Sequence, residues 1–376
     1  MKRLKRVEIC AFLCLITPVL CSGNSSLGLP EGKLPHGDVI ELGRKLFFDR
    51  RLSINNTLSC GMCHIPEQGF TQNQLKTPVG LEGRVLKRNS PTLLNVGHQP
   101  YLFHDGREFS LVNQVWGPLL SKTEMGNLSI GMVIKRLREL DDYAAEFEAV
   151  LGGIDAVTIG EALAAYQLSL NAGDSPFDRW FYKADATAVS ERVKNGFRLF
   201  KTKGCISCHQ IEESWALFTD HWFHNTGLGY ERSMKLKPGQ RSIKLTDTVT
   251  IQTEANFEGE VQNDLGRYEV TGEPDDRWKY RTAGLRNVAL TAPYMHDGSL
   301  PTLESVLGFY TKGGVPNPGL DPLVQPFSLS SRESKDLIEF LRSLTSTRFP
   351  ELIESARQDI RQANITPAQS ISHLSD

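Results

Sequence analysis

The sequence contains 376 residues, and its 42 basic and 44 acidic side chains leave a formal net charge of −2. This length suits two domains of ordinary size, each able to bury its own core. A nearly neutral chain has no electrostatic reason to bind nucleic acid, so we exclude nucleic acid as a partner.

Residues 1–23 have the order of a secretory signal peptide. Basic residues within positions 2–6 precede an apolar run at positions 9–20, which is too short to span a bilayer comfortably. Small residues follow, and we expect cleavage just after Gly23 and export to the periplasm. A lipid anchor on Cys21 is the alternative, although Leu20 is bulky where lipoprotein signals favour a small residue.

Signal cleavage would remove three of the seven cysteines, Cys10, Cys14 and Cys21. An exported protein normally uses its cysteines in disulfides. Here every remaining cysteine belongs to a C-x-x-C-H motif, and none is left for a bridge. The two motifs are Cys60-x-x-Cys63-His64 and Cys205-x-x-Cys208-His209.

The C-x-x-C-H spacing matches the attachment of a c-type haem. Two thiols three positions apart, on a turn that opens into a helix, can reach both vinyl groups of one porphyrin, and the adjacent imidazole then faces the iron. The alternative is a zinc or redox pair that happens to precede a histidine. Two such motifs in an exported chain without other cysteines favour two covalently attached haems.

The mature sequence falls into two halves with the same order of motifs, which indicates duplication of one haem-binding unit. We predict an N-terminal cytochrome c-like domain at 24–175, a C-terminal cytochrome c-like domain at 176–349 and a C-terminal tail at 350–376. The repeated segments are Gly43-x-x-Leu46-Phe47 and Gly196-x-x-Leu199-Phe200, the two C-x-x-C-H motifs, Arg88 to Val96 and Arg281 to Val288, and Tyr101 to Gly106 and Tyr294 to Gly298.

Apolar residues mostly recur every three or four positions, so the predicted fold class is mainly α, with two cytochrome c-like haem domains in tandem. The polar, Gly-rich segment from Thr226 to Arg277 has no clear period, and we expect an ordered loop around the second haem. The helical stretches are Val39 to Phe48, Ile130 to Leu151, Ile159 to Leu170, Ala186 to Phe200, Leu303 to Tyr310 and Glu333 to Leu344.

The sixth ligand of each iron does not follow from spacing alone. Histidine, methionine, lysine and tyrosine could all serve, and most such residues are structural. The mature chain has five methionines, at positions 62, 125, 132, 234 and 295, and packing explains each of them better than ligation does.

Several motifs in series resemble the bacterial di-haem cytochrome c peroxidases and their MauG relatives. They are the duplicated haem motifs, the run Arg88-Asn89-Ser90-Pro91-Thr92 and the segment Thr291 to Gly298. The resemblance extends roughly from Leu42 to Thr345, nearly the whole mature chain. It implies that the amino-terminal haem reacts with hydrogen peroxide and that the carboxy-terminal haem handles electrons.

The resemblance makes His64 the ligand of the peroxidatic iron and His209 the ligand of the second iron. It also implies three distal residues, Gln114, Pro118 and Glu124. Heterolysis of a peroxide needs a group that moves a proton from the inner oxygen to the leaving one, and Glu124 fits this task. Without the resemblance, a capping charge at a helix amino terminus would be the better interpretation of Glu124.

Two positions favour the MauG type. Typical peroxidases of the group have a blocking histidine after a Val-Gly pair, whereas this chain has Val79-Gly80-Leu81, so we expect the first iron to be open in the resting ferric state. The peroxidases place a methionine ligand fourteen residues beyond the histidine equivalent to His296, and this count reaches Tyr310. A phenolate favours ferric and higher states. The alternative is that Tyr310 only packs on the porphyrin edge.

The resemblance also implies an electron relay and a calcium ion. The family often has a tryptophan between the haems just before Asp-Gly-Arg, and here that position is His104, a poorer hole carrier; Trp116 is either a substitute or a packing residue. The implied calcium ion lies between the domains, bound by the side chain of Asn89 and the backbone oxygens of Thr291 and Pro293.

The sequence thus predicts a periplasmic di-haem peroxidase that reduces hydrogen peroxide with electrons from a protein partner. The partner is a small cytochrome or cupredoxin if the purpose is detoxification. It is an amine dehydrogenase precursor if aromatic side chains are matured into a quinone cofactor for methylamine utilisation. Leu81 and Tyr310 favour MauG-type protein oxidation, whereas His104 does not. A non-catalytic di-haem electron-transfer cytochrome is the remaining alternative, and it would need both irons six-coordinate.

Overall fold

The computed structural model describes residues 27–235, 241–244, 250–253 and 263–363. The predicted signal peptide with Cys21 lies outside the described residues, as do parts of the segment from Thr226 to Arg277. Among the described residues, no single helix has both the length and the apolar character needed to cross a membrane. One pair, Asp141–Leu151 with Ala156–Ser169, meets that test only when combined, and it is bent by 83° at its break.

The predicted fold class is confirmed, because helices are the main regular elements among the described residues and strands are few. The helices of the first half are α1 (Gly37–Phe48), α2 (Cys60–Cys63), α3 (Leu111–Gln114), α4 (Trp116–Leu120), α5 (Ile130–Arg138), α6 (Asp141–Leu151) and α7 (Ala156–Ser169). Those that follow are α8 (Pro176–Lys183), α9 (Glu191–Thr202), α10 (Leu228–Lys235), α11 (Tyr268–Thr271), α12 (Leu303–Thr311), α13 (Ser331–Arg342) and α14 (Phe349–Ala363).

Short 3-10 helices and strands complete the described part of the chain. Two antiparallel strand pairs are present there: β1 (Phe223–His224) with β4 (Tyr280–Arg281), and β2 (Arg241–Lys244) with β3 (Thr250–Thr253). The 3-10 helices are Arg50–Leu52, Pro66–Gln68, Leu81–Gly83, Val96–His98, Cys205–Ser207, Pro274–Asp276 and Val288–Leu290.

The core of the first half forms where α1 crosses α7. Helix α1 buries Leu42, Leu46 and Phe47, whose spacing places them on one face. The two helices approach so closely at Gly43 that a Cβ there would collide with the carbonyl of Ala162. A glycine is therefore required at this crossing.

The core of the second half forms in the same way, where α9 crosses α13. Here a Cβ at Gly196 would collide with the carbonyl of Asp336. Aromatic rings in edge and tilted contacts fill this core, which adds to the free energy gained from burying their surface. They are Phe177, Phe197, Phe200, Phe218 and Phe340.

The two halves repeat the same backbone details, as duplication predicts. Asn95 and Asn287 both adopt a left-handed conformation with φ 61°, and each precedes a 3-10 helix, Val96–His98 or Val288–Leu290. Both side-chain amides donate to the same acceptor, the carbonyl of Ala172, at 3.3 Å. Ala172 lies between the halves in sequence, so the two repeated units are anchored at one shared point.

Two backbone hydrogen bonds join the halves reciprocally. The amide of Asn89 donates to the carbonyl of His296 at 2.7 Å, and the amide of Arg281 donates to the carbonyl of His104 at 2.8 Å. Each repeated segment therefore completes its hydrogen bonding on the other half. This exchange brings the two C-x-x-C-H motifs to a common junction.

A buried ion-pair network reinforces the junction. Arg88 of the first half contacts Asp264 at 2.7 Å and Asp105 at 2.5 Å, while Lys87 contacts Glu269 at 2.5 Å. Burial acts to raise the pKa of Asp264, but the Arg88 guanidinium outweighs it and holds that pKa well below its usual range. The segment that begins at residue 263 is thus fixed to the first half.

The region predicted as a C-terminal tail contains helix α14, which packs back onto the first half. Phe349 and Ala356 are buried members of the first core. Arg357 also forms an ion pair with Glu67, with Nε 2.6 Å from Oε1. Residues 349–363 are therefore a structural part of the first half, although they follow the second in sequence.

A second buried ion pair ties the chain near Gly28 to the second half. Arg286 meets Asp178 through two hydrogen bonds of 2.8 Å, and their side chains are 3% and 0% exposed. The same guanidinium donates to the carbonyls of Gly28 and Ala216. Asp178 also belongs to the capping box of α8 with Ser175.

We expect Asp178→Asn to destabilise the protein by about 3–5 kcal/mol, because it leaves a buried arginine without its counter-ion. Asparagine can still accept the capping hydrogen bonds, so the change isolates the charge. The measurement is the denaturant midpoint of the haem-loaded protein. Glu339→Gln is the control, since its pair with Arg342 is exposed and should contribute less than about 1 kcal/mol. Equal midpoint shifts for both variants would contradict the prediction.

Candidate haem site

One cavity of about 890 Å³ lies at the junction of the halves and receives both C-x-x-C-H motifs. This volume is near the upper end of ordinary ligand pockets, which span roughly 300–1,000 Å³. The motif residues that line it are Cys63, His64, Cys205, Cys208 and His209. The structure thus brings together two sites that are separated by about 140 residues in sequence.

In the first motif, hydrogen bonds to backbone carbonyls fix the orientation of the His64 imidazole. Helix α2 holds the two cysteines, and the amide of His64 donates to the carbonyl of Cys60 at 2.9 Å. Nδ1 of His64 lies 3.1 Å from the carbonyl of Phe70, so Nδ1 carries the proton and donates. Burial lowers the pKa of His64 to about 4, which keeps the ring neutral. Nε2 is then free to bind a metal.

The second motif repeats this arrangement. The amide of His209 donates to the carbonyl of Cys205 at 3.0 Å, and Nδ1 donates to the carbonyl of Phe218 at 2.8 Å. Burial lowers the pKa of His209 as well. Both imidazoles therefore present a neutral Nε2 in the tautomer that an iron ligand needs.

All four cysteines of the motifs are free of disulfides. Together with the cavity and the two oriented imidazoles, they fit two covalently attached porphyrins better than zinc. The described residues contain one cluster with metal-ligand geometry, Cys208, Asp220 and His224. However, the nitrogens of His224 already contact two carboxylates, at 2.9 Å to Asp220 and 2.6 Å to Asp321. That imidazole has no lone pair left for a zinc ion.

The three predicted distal residues, Gln114, Pro118 and Glu124, all line the cavity. Gln114 ends α3, and its side-chain oxygen lies 3.4 Å from Nε2 of Gln167. Pro118 lies inside α4, and its carbonyl accepts from Met125, which ties the loop that carries Glu124 to that helix.

Glu124 sits in a tight loop, with its amide 3.0 Å from the carbonyl of Ser121. Burial raises the pKa of Glu124, while the charge of Arg107 and the hydroxyl of Ser121 act in the opposite direction. The capping interpretation has no support, because the following helix α5 is capped by Ser129, whose side chain accepts from Met132. Glu124 therefore does not cap this helix, and it lines the cavity.

Leu81 lies behind the Glu124 loop and is not among the residues that line the cavity. Its amide lies 3.2 Å from the carbonyls of both Thr123 and Glu124. A Cβ at Gly126 would contact the Leu81 side chain, which shows that Leu81 packs beside the loop. The segment that carries a blocking histidine in typical relatives therefore contributes only an apolar side chain here.

Tyr310 and Met295 both line the cavity as candidate sixth ligands. Tyr310 lies on α12 and is close to the cysteines of the second motif, and burial raises its pKa above the usual range for tyrosine. Met295 has a positive φ of 74° in the turn between Tyr294 and Leu300. The other four methionines of the mature chain do not line the cavity.

The two relay candidates occupy different environments. His104 lines the cavity, and its Nε2 donates to the carbonyl of Asn89 at 2.9 Å. Burial lowers the pKa of His104 to about 4, so this imidazole is neutral. Trp116 packs against the first core and does not line the cavity. A role for either side chain in electron transfer stays a prediction.

The three residues implied for calcium, Asn89, Thr291 and Pro293, also line the cavity. The Asn89 amide nitrogen donates to the carbonyl of Lys76 at 2.9 Å, which fixes the orientation of that side chain. The described geometry places these three residues on the same junction between the halves.

Sequence reasoning gave no role to several polar residues of the cavity, among them Arg107, Gln167 and Arg281. Arg107 contacts Asp105 at 3.0 Å and lies over the ring of Phe103 at 3.5 Å. Its position in an Asp-Gly-Arg sequence could have indicated a cation near Glu124. Gln167 lies inside the apolar helix α7, and nothing in the local pattern separates it from the core.

A cavity shared by two oriented imidazoles and two cysteine pairs defines a di-haem protein of the c type. Residues 38–187 match the family model described as di-haem cytochrome c peroxidase. The methylamine utilization protein MauG of Methylorubrum extorquens is 36% identical over 311 residues, which cover 81% of this chain and 77% of that protein. The cytochrome-c peroxidase IdrP2 of Denitromonas iodatirespirans is 32% identical over 350 residues, 92% of each chain.

The solved structures include a similar fold. The crystal structure of a MauG-like protein associated with microbial copper homeostasis matches with a TM-score of 0.67 and 29% identity, over 86% of this chain and 95% of that one. The chain therefore belongs to the di-haem cytochrome c peroxidase family, as the sequence motifs predict. It is an oxidoreductase with two c-type haems.

We expect Glu124→Gln to retain both haems and to slow the reaction with hydrogen peroxide by about 10²–10⁴-fold, the usual contribution of a general acid–base group. Because burial raises the pKa of Glu124, the wild-type rate should fall on acidification at a pH above the ordinary range for glutamate. The carboxylate is the proton acceptor, so the rate is full above this pKa and is lost below it. Stopped-flow measurements across pH provide the test.

Glu82→Gln is the matched control, since Glu82 lies on a neighbouring segment with its side chain 66% exposed. It should leave both the rate and the acidic limb of the profile unchanged. A wild-type rate in Glu124→Gln would return Glu124 to a structural role.

Proposed function

We propose that this chain is an exported di-haem peroxidase that reduces hydrogen peroxide at the haem held by Cys60, Cys63 and His64. Electrons then come from a protein partner through the haem held by Cys205, Cys208 and His209. One observation carries the proposal: the acid–base candidate Glu124 and both motif histidines border a single cavity. Export rests on the signal-like residues 1–23 and supports a periplasmic location.

The proposed work of the protein at the first site is to move protons. A haem held by Cys60, Cys63 and His64 would supply the redox chemistry for cleavage of the O–O bond. Glu124 takes the proton from the inner peroxide oxygen and returns it to the outer one, which leaves as water. Gln114 orients the peroxide by hydrogen bonding, and Pro118 limits access of water. Two further protons and two electrons complete the reduction to water.

We infer MauG-type chemistry at the second site, with Tyr310 as the sixth ligand. The support is its place on α12 at the cavity, near the second pair of cysteines. A phenolate stabilises oxidised over ferrous iron, which suits a site that withdraws electrons from aromatic side chains of a protein. The substrate would then be a protein such as an amine dehydrogenase precursor, whose residues are oxidised to a quinone cofactor.

A conventional peroxidase that oxidises a small cytochrome or cupredoxin is the second candidate. Its support is Met295, because a thioether ligand is typical of that class and Met295 also lines the cavity. A non-catalytic electron-transfer cytochrome is less consistent with the site. It would not need Glu124 beside an iron, and it would need a sixth ligand that Leu81 cannot supply.

We also propose calcium at the junction of the halves, bound by the Asn89 side chain and the backbone oxygens of Thr291 and Pro293. These are hard oxygen donors of the kind that calcium prefers. The ion would stabilise the junction that the reciprocal bonds of Asn89 and Arg281 already form.

The resting ferric protein should show one high-spin and one low-spin haem by electron paramagnetic resonance. The reason is that Leu81 cannot ligate the first iron, so this iron keeps an open position. Reaction with peroxide should then need no prior reduction. Two low-spin signals at neutral pH would contradict an open first site.

Replacing Tyr310 by methionine should raise the reduction potential of the second haem, because an anionic oxygen ligand is exchanged for a neutral thioether. The variant should also favour oxidation of a small cytochrome over oxidation of protein side chains. Redox titration followed by visible spectra provides the measurement. Met295→Leu is the control and should leave the second haem low-spin. If Met295→Leu makes it high-spin while Tyr310→Phe does not, the conventional peroxidase becomes the better description.

A further inference from the structure

Arg281 is a cavity arginine that lacks a carboxylate partner. Four arginines line the cavity in the described part of the chain, and three of them are paired with aspartates. Those three are Arg88 with Asp105 and Asp264, Arg107 with Asp105, and Arg286 with Asp178. No aspartate or glutamate of the described residues forms an ion pair with Arg281.

The hydrogen bonds of Arg281 use only part of its guanidinium group. Nη1 donates to Gln99 Oε1 at 2.8 Å and to the carbonyl of Thr282 at 3.3 Å, and Nε donates to the carbonyl of Phe103 at 3.3 Å. Nη2 has no partner among the described residues. It is also absent from the buried polar atoms that lack a hydrogen bond, so it remains accessible at the cavity.

The environment of Arg281 opposes an uncompensated charge. Burial lowers the pKa of Arg281 to about 10, and no neighbouring carboxylate counteracts this. Arginine stays protonated in proteins, so the cost of desolvation has to be offset by an anion. The two C-x-x-C-H motifs at this cavity imply porphyrins, and each porphyrin carries two propionate carboxylates. A guanidinium fork binds a carboxylate with favourable geometry.

We propose that Arg281 binds a haem propionate through Nη2. The site takes a carboxylate of the porphyrin, and it lies on the junction, since the Arg281 amide bonds to His104 and its side chain reaches Phe103. Gln99 keeps the guanidinium in place because its oxygen also contacts Nδ1 of His221 at 3.2 Å. The propionate is thereby held by both halves at once.

This salt bridge has an electrostatic consequence for the bound iron. A cation beside a propionate cancels the negative charge that would otherwise stabilise the ferric state. Removal of the cation should therefore lower the reduction potential of the haem concerned. We expect about a tenfold change in the one-electron equilibrium constant, which corresponds to about 59 mV.

The test compares Arg281→Gln and Arg281→Lys in the haem-loaded protein. In Arg281→Gln, redox titration should show the tenfold change in the equilibrium constant of one haem. Arg281→Lys keeps the charge, so its shift in reduction potential should be less than about a third of the shift in Arg281→Gln. A haem assay confirms that both porphyrins remain attached. Arg267→Gln is the matched control, because Arg267 donates to the carbonyl of Asp105 nearby but does not line the cavity. It should leave both potentials unchanged.

Three outcomes overturn the proposal. Unchanged potentials in Arg281→Gln would show that the charge does not act on a haem. Equal shifts in the glutamine and lysine variants would assign the effect to the hydrogen bonds with Gln99 and Phe103. A crystal structure of the haem-loaded wild-type protein decides the matter even if the variants do not fold. It should place a propionate oxygen within hydrogen-bond distance of Arg281, and a solvent or protein acceptor at Nη2 instead would refute the assignment.

Discussion

The orientation of each imidazole depends on a single backbone carbonyl behind it. Phe70 and Phe218, which accept the Nδ1 protons of His64 and His209, both have left-handed φ values, 53° and 55°. That backbone conformation is uncommon for a bulky residue, so the surrounding structure has to hold it. The side chain of the next residue in each half, Thr71 or Thr219, provides part of this support. Each donates to a carbonyl of the repeated segment that follows, on Ser90 or Thr282.

The same repeated segments connect the two imidazoles to each other. The residue just before Ser90 is Asn89, and the one before Thr282 is Arg281, whose amides form the reciprocal bonds across the junction. The orientation of one histidine and the relative position of the two halves are therefore coupled through a few backbone groups. The cavity that both imidazoles line lies at this junction.

The sequence predicted the parts of the site whose chemistry is local. Two C-x-x-C-H motifs, the duplicated order and the helical periods all have short-range signals, and the mainly helical fold is confirmed. Three features could not be predicted. They are the role of Ala172 as a shared hydrogen-bond acceptor, the lack of a partner for Nη2 of Arg281, and the packing of α14 against the first half. They depend on contacts between residues far apart in sequence, for which one sequence without relatives carries no local pattern. Residues 173–185 join the two halves and contain helix α8, whose start is stabilised by the capping box of Ser175 and Asp178.

The two repeated segments differ in charge at equivalent positions. Asn89 and Arg281 hold the same position relative to the left-handed Asn95 and Asn287, six residues further along. One offers an amide oxygen suited to a cation, and the other is itself a cation. The first half also furnishes Glu124 to the cavity, and the second furnishes Tyr310. Equivalent backbone positions at the junction thus hold side chains of opposite preference: Asn89 suits a cation and Arg281 suits an anion.

The return of α14 makes the first core discontinuous in sequence. Phe349 and Ala356 complete a cluster whose other buried members lie between Leu42 and Ala172. A chain synthesised from its amino terminus therefore cannot finish its first domain until the last helix has emerged. The second core, whose buried members lie between Phe177 and Leu344, does not depend on α14. The half that carries Cys60, Cys63 and His64 is therefore completed only after both haem motifs have been synthesised.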